Sequence, residues 1–175
     1  MPNLEPTYLR YVYDSLNKGA LNAENAAALP RGFIGLYEQE FTQKTPARER
    51  KKVLNQLALW ALFKGPVSAN FAAAVLELEE EQMKDLVDTY SSWFNSPESG
   101  KYQLYHERIK IYLLSILSDK EVESLSIRLL QFLNSDLQYS EFIAYKLSYY
   151  IDHLISISYY SEKYIENLYN IVNDD

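Results

Sequence analysis

Two histidines are the side chains in this sequence best suited to proton transfer or phosphate contact near neutral pH. His106 stands where a strand-like alternation, with Tyr102 and Leu104, passes into the helical spacing of Ile109 and Leu113. An imidazole held between two rigid elements can donate a hydrogen bond to a nucleotide phosphate, and a charge-assisted bond of that kind contributes roughly 1.5–3 kcal/mol. The alternative is a junction histidine whose ring bonds only a local carbonyl group.

The sequence lacks the motifs of a self-sufficient enzyme. Its only Gly-Lys pair, Gly100-Lys101, is followed by tyrosine, and asparagine takes the place of the first glycine of a phosphate-binding loop. Cysteine is absent, which excludes disulfides, thiol catalysis and thiolate metal sites. The histidines show no His-Glu-x-x-His spacing, and His153 is predicted on the solvated flank of an amphipathic helix. We therefore expect no catalytic residue, metal site or cofactor in this chain itself.

The composition favours a folded helical protein. Of the 175 residues, 47% are hydrophobic and 23% charged, with only five glycines and six prolines. The sequence contains no apolar run long enough to cross a membrane, and its first residues lack the zones of a secretory signal. A cytoplasmic setting is therefore predicted. The net charge of −7 falls mostly after residue 118, and this acidic part would repel nucleic acid and anionic membranes.

The helices that must position His106 have recognisable starts and ends. A first helix is predicted to end at Gly19, and a second to begin near Leu29-Pro30-Arg31-Gly32. Thr45-Pro46 is expected to cap and open a third helix, which Gly65-Pro66 stops. Ser68 can cap a short fourth helix, and another follows Leu78.

Short apolar runs on either side of residues 95–100 predict a small hairpin that delivers His106 to its helix. Helices followed by such a hairpin are typical of a winged helix. The predicted fold class is therefore mainly α, a winged-helix domain with a small β-hairpin wing, flanked by helical segments. The expected domains are the end of a small helical domain (1–28), the winged helix (29–117) and a helical domain that could begin a helical array (118–175).

The segment after residue 117 carries three further helix patterns. Ser118-Asp119-Lys120-Glu121 is a capping box that opens the first. A long helix follows, whose buried stripe is predicted to be Ile143, Leu147, Tyr150, Ile151 and Leu154. The last is expected to be capped by Ser161 and to bury Ile165, Leu168, Tyr169 and Val172. Because the chain ends close to this helix, we expect an excised piece of a longer protein.

Two other functions stay open on the residues alone. The basic run of residues 48–52 could contact nucleic acid, as winged helices often do. The helix that would enter the groove, however, begins Glu79-Glu80-Glu81, and these carboxylates would repel phosphate. The second is a free-standing helical adaptor that binds a protein partner, or a second copy, through the tyrosine-rich face of residues 139–169.

Three segments resemble a known family, the signal-transduction ATPases with numerous domains (STAND), which include NACHT proteins, plant resistance proteins and apoptotic ATPases. Tyr105-His106-Glu107 is similar to the family's Met-His-Asp motif at the end of the wing. The segment around Pro6 resembles the family's Gly-x-Pro segment, although a different residue takes the place of its glycine. Residues 29–33 are similar to the bacterial NACHT pattern entering the winged helix. The resemblance covers about residues 4–117.

The resemblance implies a regulatory, non-catalytic role. In the family the motif histidine contacts the β-phosphate of ADP and holds the closed state, a role that His106 would take, with Tyr105 and Glu107 as motif neighbours. Pro6 would lie against the nucleotide base. ADP or ATP with Mg²⁺ would be bound by the nucleotide-binding domain of the parent protein, the implied partner. Exchange for ATP would then release oligomerisation or effector signalling, in defence by analogy with the family.

Overall fold

The computed structural model describes residue 13 and residues 32–158 of the chain. Its internal contacts define two compact units, residues 1–47 and residues 48–175. In the first unit, α1 spans Gly32–Lys44. The helix predicted to end at Gly19 and the helix predicted after Ser161 lie outside the described residues.

The second unit contains six described helices and three strands. In chain order they are α2 (Arg50–Leu62), β1 (Val67–Ser68), α3 (Ala69–Leu76), α4 (Glu80–Thr89), β2 (Phe94–Glu98), β3 (Lys101–Leu104), α5 (Glu107–Ile116), α6 (Asp119–Leu133) and α7 (Ser140–Ser158). Single 3-10 turns at Ala47–Glu49 and Ser91–Trp93 precede α2 and β2. The prediction of a mainly helical protein with a small hairpin is therefore confirmed.

The sheet has three antiparallel strands in the order β1-β3-β2. Val67 pairs with Tyr102 on one side of β3, and Phe94 pairs with Leu104 on the other. Gly100 closes the β2–β3 hairpin at a φ of 75°, a conformation that favours glycine. The pairing of β1 was not predicted, because two residues are too short to show a strand period.

The helix caps explain which predicted boundaries hold. Ser68 caps α3 by accepting a hydrogen bond from the Phe71 amide at 3.0 Å. Ser118 and Glu121 form the predicted capping box of α6. The predicted start of α2 at Thr45-Pro46 is wrong. The Thr45 amide donates to the Phe41 carbonyl and closes the last turn of α1, and the 3-10 turn at Ala47–Glu49 precedes α2, which begins at Arg50.

The core of the second unit is centred on an aromatic cluster. The Phe71 side chain on α3 is fully buried. Its ring centroid lies within 4.7–5.6 Å of four other rings, which follow α2 or belong to α6 and α7: Phe63, Phe132, Phe142 and Tyr145. Side chains from both sides of residue 117 therefore share one core. The proposed division at 117/118 stays a prediction.

Helix α7 buries only part of the predicted stripe: Leu154 is buried as predicted and Tyr150 is half-buried, but the rest of the buried face differs. Its buried residues are Phe142, Tyr145, His153, Leu154 and Ile157. Of the predicted stripe, Ile143, Leu147 and Ile151 are exposed, Leu147 to 82%. The sequence of α7 contains two apolar stripes. The stripe that carries Phe142 and Tyr145 is the buried one, because these rings join the aromatic cluster around Phe71.

Among the described residues, the structure contains no helix with the length and apolar character that a membrane span requires.

Candidate functional site

His106 lies between β3 and α5 and is the N-cap residue of α5. Its ring Nδ1 accepts a hydrogen bond from the Arg108 amide at 3.1 Å. The residue before it is also held in place, because the Tyr105 amide donates to the Trp93 carbonyl next to β2 at 2.7 Å. The imidazole is therefore fixed by the helix that follows it and by the strand that precedes it.

The N-cap hydrogen bond also assigns the tautomer of His106. Because Nδ1 accepts from a backbone amide, the neutral ring carries its proton on Nε2. The ring is half-buried, so Nε2–H is the donor it can offer to a ligand. The local bond that the sequence left open is thus made to an amide rather than to a carbonyl, and it does not use the donor nitrogen.

The surroundings of the His106 ring favour an anion. The ring stands at the N-terminus of a ten-residue helix, where the aligned peptide dipoles leave positive partial charge. The carboxylate of Glu107 carries negative charge at the same helix end, but it is paired with Lys110 Nζ at 3.2 Å. The lysine therefore offsets the effect of this carboxylate on the positive field of the helix N-terminus. Tyr105 is exposed beside the ring. A phosphate oxygen could therefore accept from Nε2 with little repulsion.

The structure does not bring Pro6 together with His106, since Pro6 lies outside the described residues. The two motif neighbours, Tyr105 and Glu107, flank the ring in sequence, and both are exposed. Among the predicted site residues that the structure describes, His106 is thus the half-buried one, and its ring is held between β3 and α5 as a hydrogen-bond donor.

His153 was predicted to be solvated, and this is wrong. The residue is only 6% exposed, and its Nε2 lies 2.8 Å from the hydroxyl oxygen of Tyr145. That hydroxyl in turn accepts from the Lys64 amide at 3.0 Å. The Tyr145 hydroxyl therefore has two hydrogen-bond partners, the Lys64 amide and His153 Nε2.

Burial changes the acid–base properties of this pair. Desolvation, together with a smaller contribution from the Lys64 ammonium, lowers the pKa of His153 from 6.5 to about 4. Desolvation likewise raises the pKa of Tyr145. Both side chains are therefore neutral near pH 7. The recurrence of Tyr145, Tyr149 and His153 every four residues was the sequence signal for this face, and it was missed.

Glu141 on α7 is a second residue that sequence reasoning missed. Its carboxylate accepts from both the amide and the hydroxyl of Ser68, each at 2.9 Å. It lines a cavity of about 560 Å³ between α7 and the hairpin, beside the ion pair of Lys101 and Glu98. Each charged group lining this cavity already has a partner, so Glu141 is assigned a structural role.

Metal chemistry finds no support in the part of the chain that the structure describes. No group of three or more histidine and carboxylate side chains there could hold a metal ion.

The chain matches no family model, no curated protein and no solved structure. The resemblance of Tyr105-His106-Glu107 to the STAND motif therefore stays a prediction.

Proposed function

We propose that this chain is a non-catalytic regulatory module of a nucleotide-switched signalling ATPase, in which His106 holds the ADP-bound closed state. The observation that supports it best is the ring geometry: Nδ1 is engaged by the Arg108 amide, which leaves Nε2–H as a donor at a helix N-terminus. A donor held in one orientation loses little conformational entropy when a phosphate binds.

The order of elements supports the winged-helix part of this proposal. Helix α2, strand β1, helices α3 and α4, and the β2–β3 hairpin follow one another, with β1 pairing to β3. This order is typical of a winged helix, in which the hairpin would be the wing. His106 then stands at the exit of the wing, where the resemblance places the nucleotide-sensing histidine.

The proposed mechanism transmits nucleotide identity through one hydrogen bond. His106 Nε2–H donates to the β-phosphate of ADP bound, with Mg²⁺, by the nucleotide-binding domain of the parent. Such a bond contributes roughly 1.5–3 kcal/mol to the closed state. Exchange for ATP breaks it, and because the same ring caps α5, α5 and the helices packed behind it are released together for oligomerisation or effector signalling.

Three substitutions of His106 distinguish its role as a phosphate donor through Nε2 from its role as the N-cap of α5 through Nδ1. In the parent protein, His106→Asn should keep an N-cap acceptor but lose the distal N–H, so ADP should dissociate faster by about 10- to 150-fold. His106→Gln places an amide N–H near the position of Nε2 and should retain ADP, while losing the short cap. His106→Ala removes both functions. ADP release is measured by stopped-flow fluorescence with a labelled nucleotide.

The isolated chain provides the control for this experiment. One histidine cannot hold a diphosphate alone, so titration calorimetry of the 175-residue chain should show no ADP or ATP binding tighter than about 1 mM. Tight ATP binding by this chain would overturn the proposal. So would equal ADP release from the Asn and Gln variants of the parent.

The exposed stripe of α7 favours a second candidate function, a helical adaptor that self-associates. The stripe consists of Ile143, Leu147, Ile151 and Ile155, each more than 40% exposed and spaced four residues apart. Such a ridge can pack against its own copy at the helix-crossing angle of about 50° that is common in globular proteins. Sedimentation velocity should then show a dimer that Leu147→Glu converts to monomer, whereas a wild-type monomer at about 100 μM would exclude it.

Nucleic-acid binding receives less support. Helix α4, the recognition helix of the proposed winged helix, exposes Glu80, Glu81, Asp85 and Asp88. Its lysine, Lys84, is paired with Glu80 at 2.9 Å. In the basic run, Lys51 is paired with Glu121 at 3.3 Å. Phosphate would therefore meet carboxylates on this helix at every salt concentration.

A further inference from the structure

A groove between α5 and α7 has a different character from the cavity beside Glu141. Its volume is about 370 Å³, and its walls come from the end of α2, from α5, from α6 and from α7. This α5–α7 groove is lined by two lysines, one carboxylate and the buried His153, together with apolar side chains that include Phe63, Ile111, Leu114 and Val122.

The charges on the α5–α7 groove are unbalanced. Lys110, on α5, is only 28% exposed and is paired with Glu107 at 3.2 Å. Lys64 follows α2, is exposed and also lines the groove, and its ammonium contributes to the lowered pKa of the His153 ring. Since His153 is neutral near pH 7, the groove carries two positive charges and one negative charge. In a protein of net charge −7, this is a local cationic site.

The apolar wall of the groove is incompletely covered. Ile111 on α5 is 56% exposed although it lines a concave surface, and Leu114 lies one turn further along the same wall. A ligand that covered these side chains would remove apolar area from water at about 25 cal/mol per Å². A volume of this size is at the lower end of the range for small-molecule sites.

We propose that the α5–α7 groove binds a small ligand that carries one carboxylate or phosphate group on an apolar body. The ammonium groups of Lys64 and Lys110 bind the anionic group, and Ile111 and Leu114 contact the apolar body. His153, neutral near pH 7, lines the groove with its Nε2 hydrogen-bonded to the Tyr145 hydroxyl. The proposal does not depend on His106 or on a nucleotide.

Three probes of equal chain length test the charge requirement on the full 175-residue chain. Octanoate and octyl phosphate should each produce saturable shifts of the Ile111 and Leu114 methyl signals in ¹H–¹³C NMR spectra, and 1-octanol should bind at least several-fold more weakly. The two anions distinguish a carboxylate from a phosphate ligand. Saturation by octanol at the same concentration as both anions would overturn the proposal, as would no shift with either anion up to about 10 mM.

Substitutions locate the binding to the groove. Lys64→Gln and Lys110→Gln should each weaken octanoate binding about 2- to 5-fold, the range expected for partly exposed charges. Lys84→Gln, on the distant helix α4, is the matched control and should leave the affinity unchanged. Ile111→Glu, at an exposed position that tolerates a charge in the folded chain, should abolish binding. Equal affinity in Lys64→Gln, Lys110→Gln and Lys84→Gln would contradict the assignment.

Discussion

Lowering the pH from 7 to 4 should remove about 3 kcal/mol of folding stability through His153 alone. Its pKa is about 4 in the folded chain against 6.5 for an unperturbed histidine, and each pKa unit corresponds to about 1.4 kcal/mol. Above pH 6.5 the ring is neutral in both states. Below pH 6.5 the His153 ring binds a proton in the unfolded chain but stays neutral in the folded chain. The folding stability therefore falls until the folded ring also becomes protonated near pH 4.

Urea unfolding at half-unit steps of pH measures this effect. The matched variant is His153→Gln, which keeps a hydrogen-bonding side chain for the Tyr145 hydroxyl but cannot titrate, so its stability should change much less between pH 6.5 and 4. A separate acid-sensitive group is Glu121, whose pKa is lowered by its hydrogen bonds to Ser118. The stability it contributes is lost below pH 4.5, so it overlaps the His153 window only at its acid end. Parallel pH profiles for the wild type and His153→Gln would show that His153 is not responsible.

Phe71→Ala should destabilise the second unit by about 3–5 kcal/mol, the usual cost of removing a fully buried phenylalanine. The loss includes the contacts of the Phe71 ring with four other aromatic rings from α6, α7 and the end of α2. Because these rings connect the sheet-bearing part to the last two described helices, one cooperative transition should shift as a whole.

Leu147→Ala is the control for Phe71→Ala. Leu147 is a large apolar residue on α7 that is 82% exposed, so in the monomer its truncation should change stability by no more than about 0.5 kcal/mol. Thermal unfolding should be followed by far-ultraviolet circular dichroism and by tryptophan fluorescence, since Trp60 and Trp93 are both buried beside the sheet. Two separated transitions in Phe71→Ala would mean that α6 and α7 unfold independently.

Local signals were sufficient to place His106. The alternation of Tyr102 and Leu104 predicted β3, and the helical spacing after the histidine predicted α5, so the junction between them was predictable. The caps at Ser68 and Ser118 were predictable for the same reason, because a capping side chain bonds an amide within three residues. The tautomer of His106 was not predictable, since it depends on which ring nitrogen meets the Arg108 amide.

Features that depend on distant contacts could not be read from the sequence. Strand β1 has only two residues and exists because β3 lies beside it. The buried face of α7 was mispredicted because its two apolar stripes are locally equivalent, and only the cluster around Phe71 chooses between them. The burial of His153 follows from that choice. The α5–α7 groove is formed by four separate segments of the chain, so no local sequence pattern predicts it.

The contact between Glu141 and Ser68 constrains how this chain folds during synthesis. Ser68 is the N-cap of the eight-residue helix α3, yet its own amide and hydroxyl are satisfied by a carboxylate 73 positions later. Until the ribosome has released α7, the start of α3 and the edge strand β1 remain incomplete. Non-local closure of this kind slows folding. We expect nascent chains arrested before residue 140 to be protease-sensitive around residue 68, and the released 175-residue chain to resist cleavage there.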